Sequence, residues 1–256
     1  MVKRFARFRL NDEEHYGLLE DKVYPITGDI FCQHEVSSSG FDLDEVKLLP
    51  PCRPTKIVLV GLNYRDHIKE SQSSGQNIPE EPIIFLKPPS SLIATEEEIL
   101  YPAQTRRLDF EAELALVMRR KCRNITPENA GDYIFGYTCL NDITARDLQK
   151  KDVQWSRAKG FDTFCPLGPF ISVGINPGNL KIESYLNGRI QQSSNTDQMI
   201  FSAERIVSFV SKVMTLLPGD VISTGTPAGV NSLSPGDIVE IKIEHIGTLR
   251  NFVKPI

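Results

Sequence analysis

The most informative segment of the sequence is Leu108-Asp-Phe-Glu-Ala-Glu-Leu-Ala-Leu-Val-Met118, in which every second side chain is apolar. Because successive side chains of a strand point to opposite faces, this alternation predicts a β-strand with one continuous apolar face. The opposite face carries, in order, Asp109, Glu111, Glu113, Ala115 and Val117. That face turns from acidic to apolar, so the segment predicts carboxylates at the margin of a buried sheet.

Two of these carboxylates are candidates for a metal site. Glu111 and Glu113 are two residues apart, about 7 Å along a strand, and clustered carboxylates repel one another unless a cation is bound. Oxygen ligands of this kind suit Mg²⁺, Mn²⁺ or Ca²⁺. A solvated face of an amphipathic strand is the alternative. Asp142, at the end of a second predicted strand over 134–142, is a third candidate ligand or else a turn or capping residue.

Three other groups of residues can carry chemistry. His67 and Glu70 are three apart on a predicted short helix over 64–70, so the carboxylate can orient the imidazole as a general base; a surface helix of mixed charge is the alternative. Lys159 is either an oxyanion partner or a surface lysine. The Gly/Thr loop over 223–230 can hold a carboxylate through its N–H groups, or is an ordinary turn.

The arrangement of strands and helices predicts an α+β protein with a large, mostly antiparallel, curled sheet. Residues 1–52 predict a small N-terminal β-region, with strands over 5–10, 15–19 and 22–26. The proline-rich segment Leu49-Pro-Pro-Cys-Arg-Pro54 separates it from a main domain over 53–256. The strands do not alternate regularly with helices, which disfavours a doubly wound parallel sheet.

Further elements of the main domain follow from the same patterns. Strands are predicted over 56–60 and 83–86. A helix begins at Thr126-Pro127, and helical apolar periodicity predicts another over 202–217, ended by Pro218-Gly219. Thr144 is predicted to cap a short helix over 145–151.

Composition excludes several classes of function. The chain has 256 residues, 24% charged and 40% hydrophobic, with a net charge of −4. A mildly acidic chain with no basic run lacks the electrostatic footprint of a nucleic-acid-binding or membrane-surface protein, and no apolar run suits a membrane span. The five cysteines form no C-x-x-C pair, which favours reduced thiols in a cytoplasmic protein.

Taken together and in this order, the motifs resemble the fumarylacetoacetate hydrolase family. The matching segments are Gly61-Leu-Asn-Tyr-Arg-Asp-His67-Ile-Lys-Glu70, Ile84-Phe-Leu-Lys-Pro88, Asp109-Phe-Glu-Ala-Glu113, Asn141-Asp-Ile-Thr-Ala-Arg-Asp-Leu-Gln149, Lys159-Gly-Phe-Asp-Thr-Phe-Cys-Pro166 and Thr224-Gly-Thr-Pro-Ala-Gly-Val230. They extend over most of the chain, and the set is highly specific.

The resemblance implies a curled mixed β-roll, usually a homodimer, with Mg²⁺ or Mn²⁺ held by Glu111, Glu113 and Asp142. It further implies a 2-oxo acid bound on the metal. Catalytic residues implied in this way are His67, Glu70 and Lys159, the first two on a lid over 64–82. Implied substrate-binding residues are Asn63, Lys87, Gln149, Gly225 and Thr226.

The reaction is less constrained than the site, because the family performs several reactions on one metal. The leading hypothesis is Mg²⁺-dependent cleavage of a C–C bond in a 2,4-dioxo acid, such as an acylpyruvate or fumarylpyruvate. Alternatives within the family are oxaloacetate decarboxylation or tautomerisation, and the isomerase or decarboxylase steps on 5-carboxymethyl-2-hydroxymuconate. A ligand-binding β-domain without turnover is the alternative from another class; the His67–Glu70 pair argues against it.

Overall fold

The computed structural model describes residues 2–66, 68 and 78–256, and within them strands dominate. The strands are β1 Lys3–Leu10, β2 Glu13–Leu19, β3 Val23–Gly28, β4 His34–Val36, β5 Lys47–Leu49, β6 Ile57–Gly61, β7 Ile83–Lys87, β8 Leu92–Ile93, β9 Glu98–Tyr101, β10 Leu108–Phe110, β11 Ala112–Met118, β12 Ile134–Asn141, β13 Thr144–Ala145, β14 Cys165–Val173, β15 Lys181–Leu186, β16 Arg189–Asn195, β17 Val221–Ser223, β18 Asn231–Leu233, β19 Ile238–Ile243 and β20 Gly247–Pro255. The α-helices that lie wholly within the described residues are α1 Pro127–Ala130, α2 Arg146–Lys151, α3 Ser156–Lys159 and α4 Ala203–Val213.

These strands form three sheets in the described part of the chain. The largest follows the order β4-β3-β2-β1-β14-β12-β11-β17-β6-β7, with β5 added beside β1 and β8 beside β14. A second sheet has the order β16-β15-β19-β20-β9, and a third β13-β10-β18. Most pairs are antiparallel; β17 with β6, β20 with β9 and β14 with β8 are parallel. The predicted α+β class with a mostly antiparallel sheet is confirmed.

Strand β11 lies in the centre of the largest sheet, and both of its faces are buried. Leu114, Leu116 and Met118 pack into one hydrophobic cluster, while Ala115 and Val117 pack into another on the opposite side. The predicted alternation is therefore confirmed. The predicted strand is nevertheless interrupted at Glu111, which lies between β10 and β11.

Helix α4 is shorter than its apolar periodicity predicts, because backbone pairing with a distant segment ends it. Ile206, Val207 and Val210 of its predicted apolar face are buried, whereas Val213 at its end is exposed. The Ser202 side chain caps the helix by accepting a hydrogen bond from the Arg205 amide. The predicted helix over 202–217 is too long, because α4 ends at Val213. Leu216 instead exchanges both backbone hydrogen bonds with Cys122, at 3.0 and 3.1 Å, and these hold the chain in an extended form.

The prediction that Thr144 caps a helix is wrong. Its hydroxyl donates to the Asp142 carbonyl at 2.9 Å, and Thr144 belongs to β13, where it pairs with Asp109. The helix begins two residues later, at Arg146. The helix predicted from Thr126-Pro127 is present as the single turn of α1.

The N-terminal strands are continuous with the largest sheet. β1 pairs with β14, with Phe5 opposite Ile171, and also with β2 and β5. The strands predicted over 5–10, 15–19 and 22–26 correspond to β1, β2 and β3. None of the helices in the described ranges is long and apolar enough to cross a membrane.

Candidate active site

Three buried carboxylates, Glu111, Glu113 and Asp142, converge at one end of β11; we call them the acidic triad. Glu113 lies on β11, and Asp142 directly follows β12, the neighbouring strand, in which Asn141 is opposite Ala112. This register brings the end of β12 beside the start of β11. The carboxylate oxygens lie within 4.8 Å of one another. Their exposed fractions are 6% for Glu111, 1% for Glu113 and 0% for Asp142.

Backbone hydrogen bonds fix Glu111 at the interruption between the strands. Its amide donates to the Asn141 side-chain oxygen at 3.0 Å, and its carbonyl accepts from the Asp142 amide at 2.9 Å. The break in the predicted strand thus serves the site, because it allows Glu111 to lie beside Asp142.

Two buried lysines contact the triad. Lys159, at the end of α3, donates to Glu111 at 3.0 Å and also to Asp142. Lys87, at the end of β7, lies 2.8 Å from the other Asp142 oxygen and donates to the carbonyls of Ile143, Lys159 and Phe164. Pairing with a positive charge offsets part of the free-energy cost of burying a carboxylate.

Arg146 of α2 links the triad to its surroundings. Its guanidinium donates to Glu111, to Asp109 at 2.8 Å and to the Gln149 side-chain oxygen at 2.6 Å. Asp109 also accepts from Arg107 at 2.9 Å. A planar guanidinium with several donors suits this arrangement, because it can contact three acceptors at once.

Glu113 is held differently, by neutral donors from β17 and the following loop. In the described residues it accepts from the Ser223 hydroxyl and, at 3.1 Å, from the Gly225 amide. Gly225 has φ +93°, and a Cβ there would lie 3.0 Å from the Val60 carbonyl oxygen and from the Asn63 Cβ. A glycine is needed for this approach. The Gly/Thr loop over 223–230, which was predicted to hold a carboxylate, therefore binds the carboxylate of Glu113 through the Gly225 amide.

The electrostatics of the triad favour an added cation. Burial raises the pKa of Glu113 well above its usual range, and the charges of Asp142 and Glu111 raise it further. Burial acts in the same direction on Glu111, but the charges of Lys159 and Arg146 outweigh it and hold that pKa well below its usual range. Three convergent carboxylates, one without a cationic partner among the described residues, fit a divalent metal of the Mg²⁺ or Mn²⁺ type.

The triad lies in a cavity of about 430 Å³. Its walls combine the acidic triad, cationic side chains and apolar residues at the ends of several strands and helices. The lining residues are Val60, Gly61, Leu62, Phe85, Glu111, Glu113, Asp142, Arg146, Gln149, Lys150, Trp155, Lys159, Thr226 and Val230. A pocket of this size suits a small organic ligand.

The substrate-binding residues implied by the resemblance divide between the cavity and the layer behind it. Gln149 and Thr226 line the cavity, and the Thr226 hydroxyl accepts from Gln192 at 2.8 Å. Asn63 lies behind the wall, where its amide donates to the Phe201 and Thr224 carbonyls at 3.1 and 2.7 Å. Lys87 and Gly225 also lie behind it, against Asp142 and Glu113.

The predicted catalytic pair, His67 and Glu70, lies outside the described residues, as does most of the expected lid. Sequence reasoning did not assign Arg146, Lys150, Trp155 or Phe85, all of which line the cavity. For Arg146 and Lys150 the sequence does contain a signal, which is their helical spacing. Arg146, Gln149 and Lys150 occupy positions i, i+3 and i+4, which share one face of a helix.

Family models match nearly the whole chain. Residues 56–254 match the fumarylacetoacetate hydrolase C-terminal family, and residues 3–51 match the family described as Rv2993c-like, N-terminal. An uncharacterised protein of Methanocaldococcus jannaschii is 58% identical over 79% of this chain and 84% of its own length. The mitochondrial oxaloacetate tautomerase fahd2 of Xenopus laevis is 42% identical over 86% of this chain and 70% of its own length.

Solved structures agree with this assignment. The 5-carboxymethyl-2-hydroxymuconate delta-isomerase of Mycobacterium smegmatis matches with a TM-score of 0.92 and 39% identity, covering 99% of this chain and 100% of that one. The maleylpyruvate hydrolase of Sphingobium, in complex with manganese and pyruvate, matches with a TM-score of 0.80 and 27% identity, covering 98% of this chain and 99% of that one. The chain belongs to the fumarylacetoacetate hydrolase family.

Proposed function

We propose that the chain is a Mg²⁺- or Mn²⁺-dependent enzyme that catalyses enol–keto isomerisation of a 2-oxo acid. The observation that carries the proposal is the position of Lys159, whose buried ammonium contacts two members of the acidic triad, Glu111 and Asp142, in the wall of the cavity. A cationic group and three metal-ligating carboxylates at one point suit a reaction in which negative charge develops on a single oxygen.

The residues take distinct roles in this proposal. Glu111, Glu113 and Asp142 would hold the metal, which supplies a Lewis acid for the keto group. Enol–keto conversion moves one proton between the oxygen of that group and the carbon beside it, so the acid gains and loses no atom overall. Lys159 places positive charge near the oxygen on which negative charge develops, in a site where burial strengthens the interaction.

Polar residues around the triad can orient the acid. Gln149 accepts from Arg146 through its side-chain oxygen, and its amide nitrogen donates to none of the residues that the structure describes, which leaves that nitrogen for a ligand. The Thr226 hydroxyl accepts from Gln192, and its own hydrogen can be donated to a ligand. The apolar part of the wall, which limits access of water to the reacting carbon, is formed by Val60, Leu62, Phe85, Trp155 and Val230.

The names of several relatives support enol–keto chemistry. A relative at 42% identity is named an oxaloacetate tautomerase, and solved structures at 39% are named isomerases of unsaturated hydroxy acids with two or three carboxyl groups. Both names describe proton transfer rather than cleavage of a carbon skeleton. The relative solved with manganese and pyruvate supports the choice of metal and of a 2-oxo acid.

Hydrolysis of an acylpyruvate is the second candidate, and it was the leading hypothesis from the sequence. The prediction of a His67–Glu70 pair that can activate water favours it, and so do relatives named as hydrolases: the fumarylacetoacetate hydrolase of Exiguobacterium antarcticum at 37% identity and the maleylpyruvate hydrolase at 27%. Isomerisation needs no attacking water, whereas hydrolysis does.

The test compares reactions on one preparation of the protein. Ketonisation of enol-oxaloacetate, decarboxylation of oxaloacetate, and hydrolysis of acetylpyruvate and fumarylpyruvate are each followed by absorbance with Mg²⁺ and with EDTA. The proposal expects metal-dependent ketonisation to be the fastest of these. Faster acylpyruvate hydrolysis would replace isomerisation by the second candidate, and no metal-dependent turnover would overturn both.

A further inference from the structure

Three polar residues on one face of helix α2 line the cavity. Arg146, Gln149 and Lys150 all line it, as expected for residues at i, i+3 and i+4. Lys151, the next residue, is exposed and does not line the cavity. Two adjacent lysines of one helix therefore differ in whether they can meet a ligand in the cavity.

The cations of the cavity wall also differ in what they already contact. Arg146 donates to Glu111 and Asp109, and Lys159 donates to Glu111 and Asp142. Lys150 is exposed, and within residues 2–66, 68 and 78–256 it forms no hydrogen bond or ion pair. Its positive charge is thus not committed to a protein carboxylate.

Arg146 and Lys150 lie at different positions along α2 relative to the triad. Arg146 contacts the triad through Glu111, and Lys150 is one helical turn further on, about 6 Å along the axis. Every carboxylate among the described lining residues belongs to the triad. A ligand that is bound at the triad by one end and extends along α2 therefore comes to an uncommitted cation.

We infer that Lys150 binds the second carboxylate of a dicarboxylic 2-oxo acid and so sets the preference of the site for diacids over monoacids. The inference rests on the proposed function, since it assumes that the 2-oxo acid end is held at the triad. Lys150 is a specificity-determining residue in this account, and it takes no part in proton transfer.

The experiment measures ligand binding to the Mn²⁺-loaded protein, with pyruvate as the monoacid and 2-oxoglutarate as the diacid. Calorimetry gives Kd for the parent and for Lys150→Gln, Lys150→Glu and the control Lys151→Glu. We expect the parent to bind 2-oxoglutarate more tightly than pyruvate. Lys150→Gln should weaken 2-oxoglutarate binding about 5-fold, as for a partly solvated ion pair. Lys150→Glu should weaken it about 10-fold or more through repulsion.

Pyruvate binding serves as the internal control, because it reports on the triad and on folding. The inference expects the pyruvate Kd to change less than 2-fold in all three variants, and Lys151→Glu to keep the parent's preference. The Lys150 effect should also shrink in 0.5 M NaCl, since salt screens exposed charges.

The outcomes separate the inference from the proposed function. Equal weakening of both acids by Lys150→Glu, no weakening of 2-oxoglutarate, or the same loss in Lys151→Glu would overturn the role of Lys150 while the 2-oxo acid site stands. Failure of the parent to bind either acid with Mn²⁺ present would overturn both.

Discussion

The ammonium of Lys87 lies 2.8 Å from a carboxylate oxygen of Asp142, and both side chains are buried. The same ammonium donates to three backbone carbonyls, those of Ile143, Lys159 and Phe164. One lysine thus joins a triad carboxylate to the segments that carry Lys159 and the start of β14. Burial lowers the pKa of Lys87, and the charge of Asp142 opposes that effect.

Lys87→Met should destabilise the protein strongly. The variant keeps a side chain of similar length but leaves three carbonyls without their donor and removes a cation from Asp142. Breaking a buried ion pair by removing one partner costs about 3–5 kcal/mol in the free energy of unfolding. Urea denaturation measures this loss. Lys254→Met, at an exposed lysine paired with the exposed Glu98, should leave the midpoint nearly unchanged; equal shifts in both variants would contradict the account.

Glu113→Ala should abolish Mn²⁺ binding rather than weaken it slightly, because one of three anionic ligands is lost. Titration of Mn²⁺ followed by calorimetry or paramagnetic resonance provides the measurement. Glu128→Ala, which removes an exposed carboxylate of α1, is the control and should bind like the parent. If Glu113→Ala also binds like the parent, the triad is not the metal site.

Arg146→Lys should weaken Mn²⁺ binding although the positive charge is kept. A lysine cannot contact Glu111, Asp109 and Gln149 together as the guanidinium does. Loss of a residue that orients a metal ligand typically costs about 10–100-fold in affinity. Arg157→Lys, at an exposed arginine paired with Asp152, is expected to have no effect. Unchanged affinity in Arg146→Lys would show that Arg146 does not position Glu111.

Much of the fold was predictable because local patterns and tertiary packing agree. The alternation from Leu108 to Met118 predicted both faces of β11, since each face meets a separate hydrophobic cluster. The end of α4 was not predictable, because it depends on pairing between Leu216 and Cys122, which are far apart in the sequence. The interruption at Glu111 likewise depends on Asn141 and Asp142 of the neighbouring strand.

Some residues of the candidate site could be predicted from the sequence, and others could not. The carboxylates of the triad were found from spacing and resemblance, since acidic residues beside apolar ones are visible in a sequence. The roles of Arg146 and Lys87 were not, because they follow from the partners that the fold brings to them. Lys87, implied as a substrate-binding residue, lies behind the cavity wall and contacts Asp142.

His67→Ala should separate the two candidate reactions. If His67 activates water, its loss should reduce acylpyruvate hydrolysis by about 10²–10⁴-fold, the usual contribution of a general base. Reactions that need no attacking water should lose less, and Mn²⁺ binding should be unchanged. Both rates are measured on the same variant at saturating Mg²⁺. Equal losses in hydrolysis and in oxaloacetate decarboxylation, or retained hydrolysis, would remove His67 from the role of water-activating base.

The central claim is that Lys159 and a metal on the acidic triad together stabilise negative charge on a 2-oxo acid. Its most direct test is Mg²⁺-dependent ketonisation of enol-oxaloacetate, followed by absorbance in the parent and in Lys159→Met. Metal binding is measured in parallel with Mn²⁺. The account predicts that the variant still binds one Mn²⁺ per chain but loses at least about 100-fold in rate, the scale of one lost electrostatic donor. A variant that binds Mn²⁺ and ketonises the enol at the parent's rate would contradict the claim.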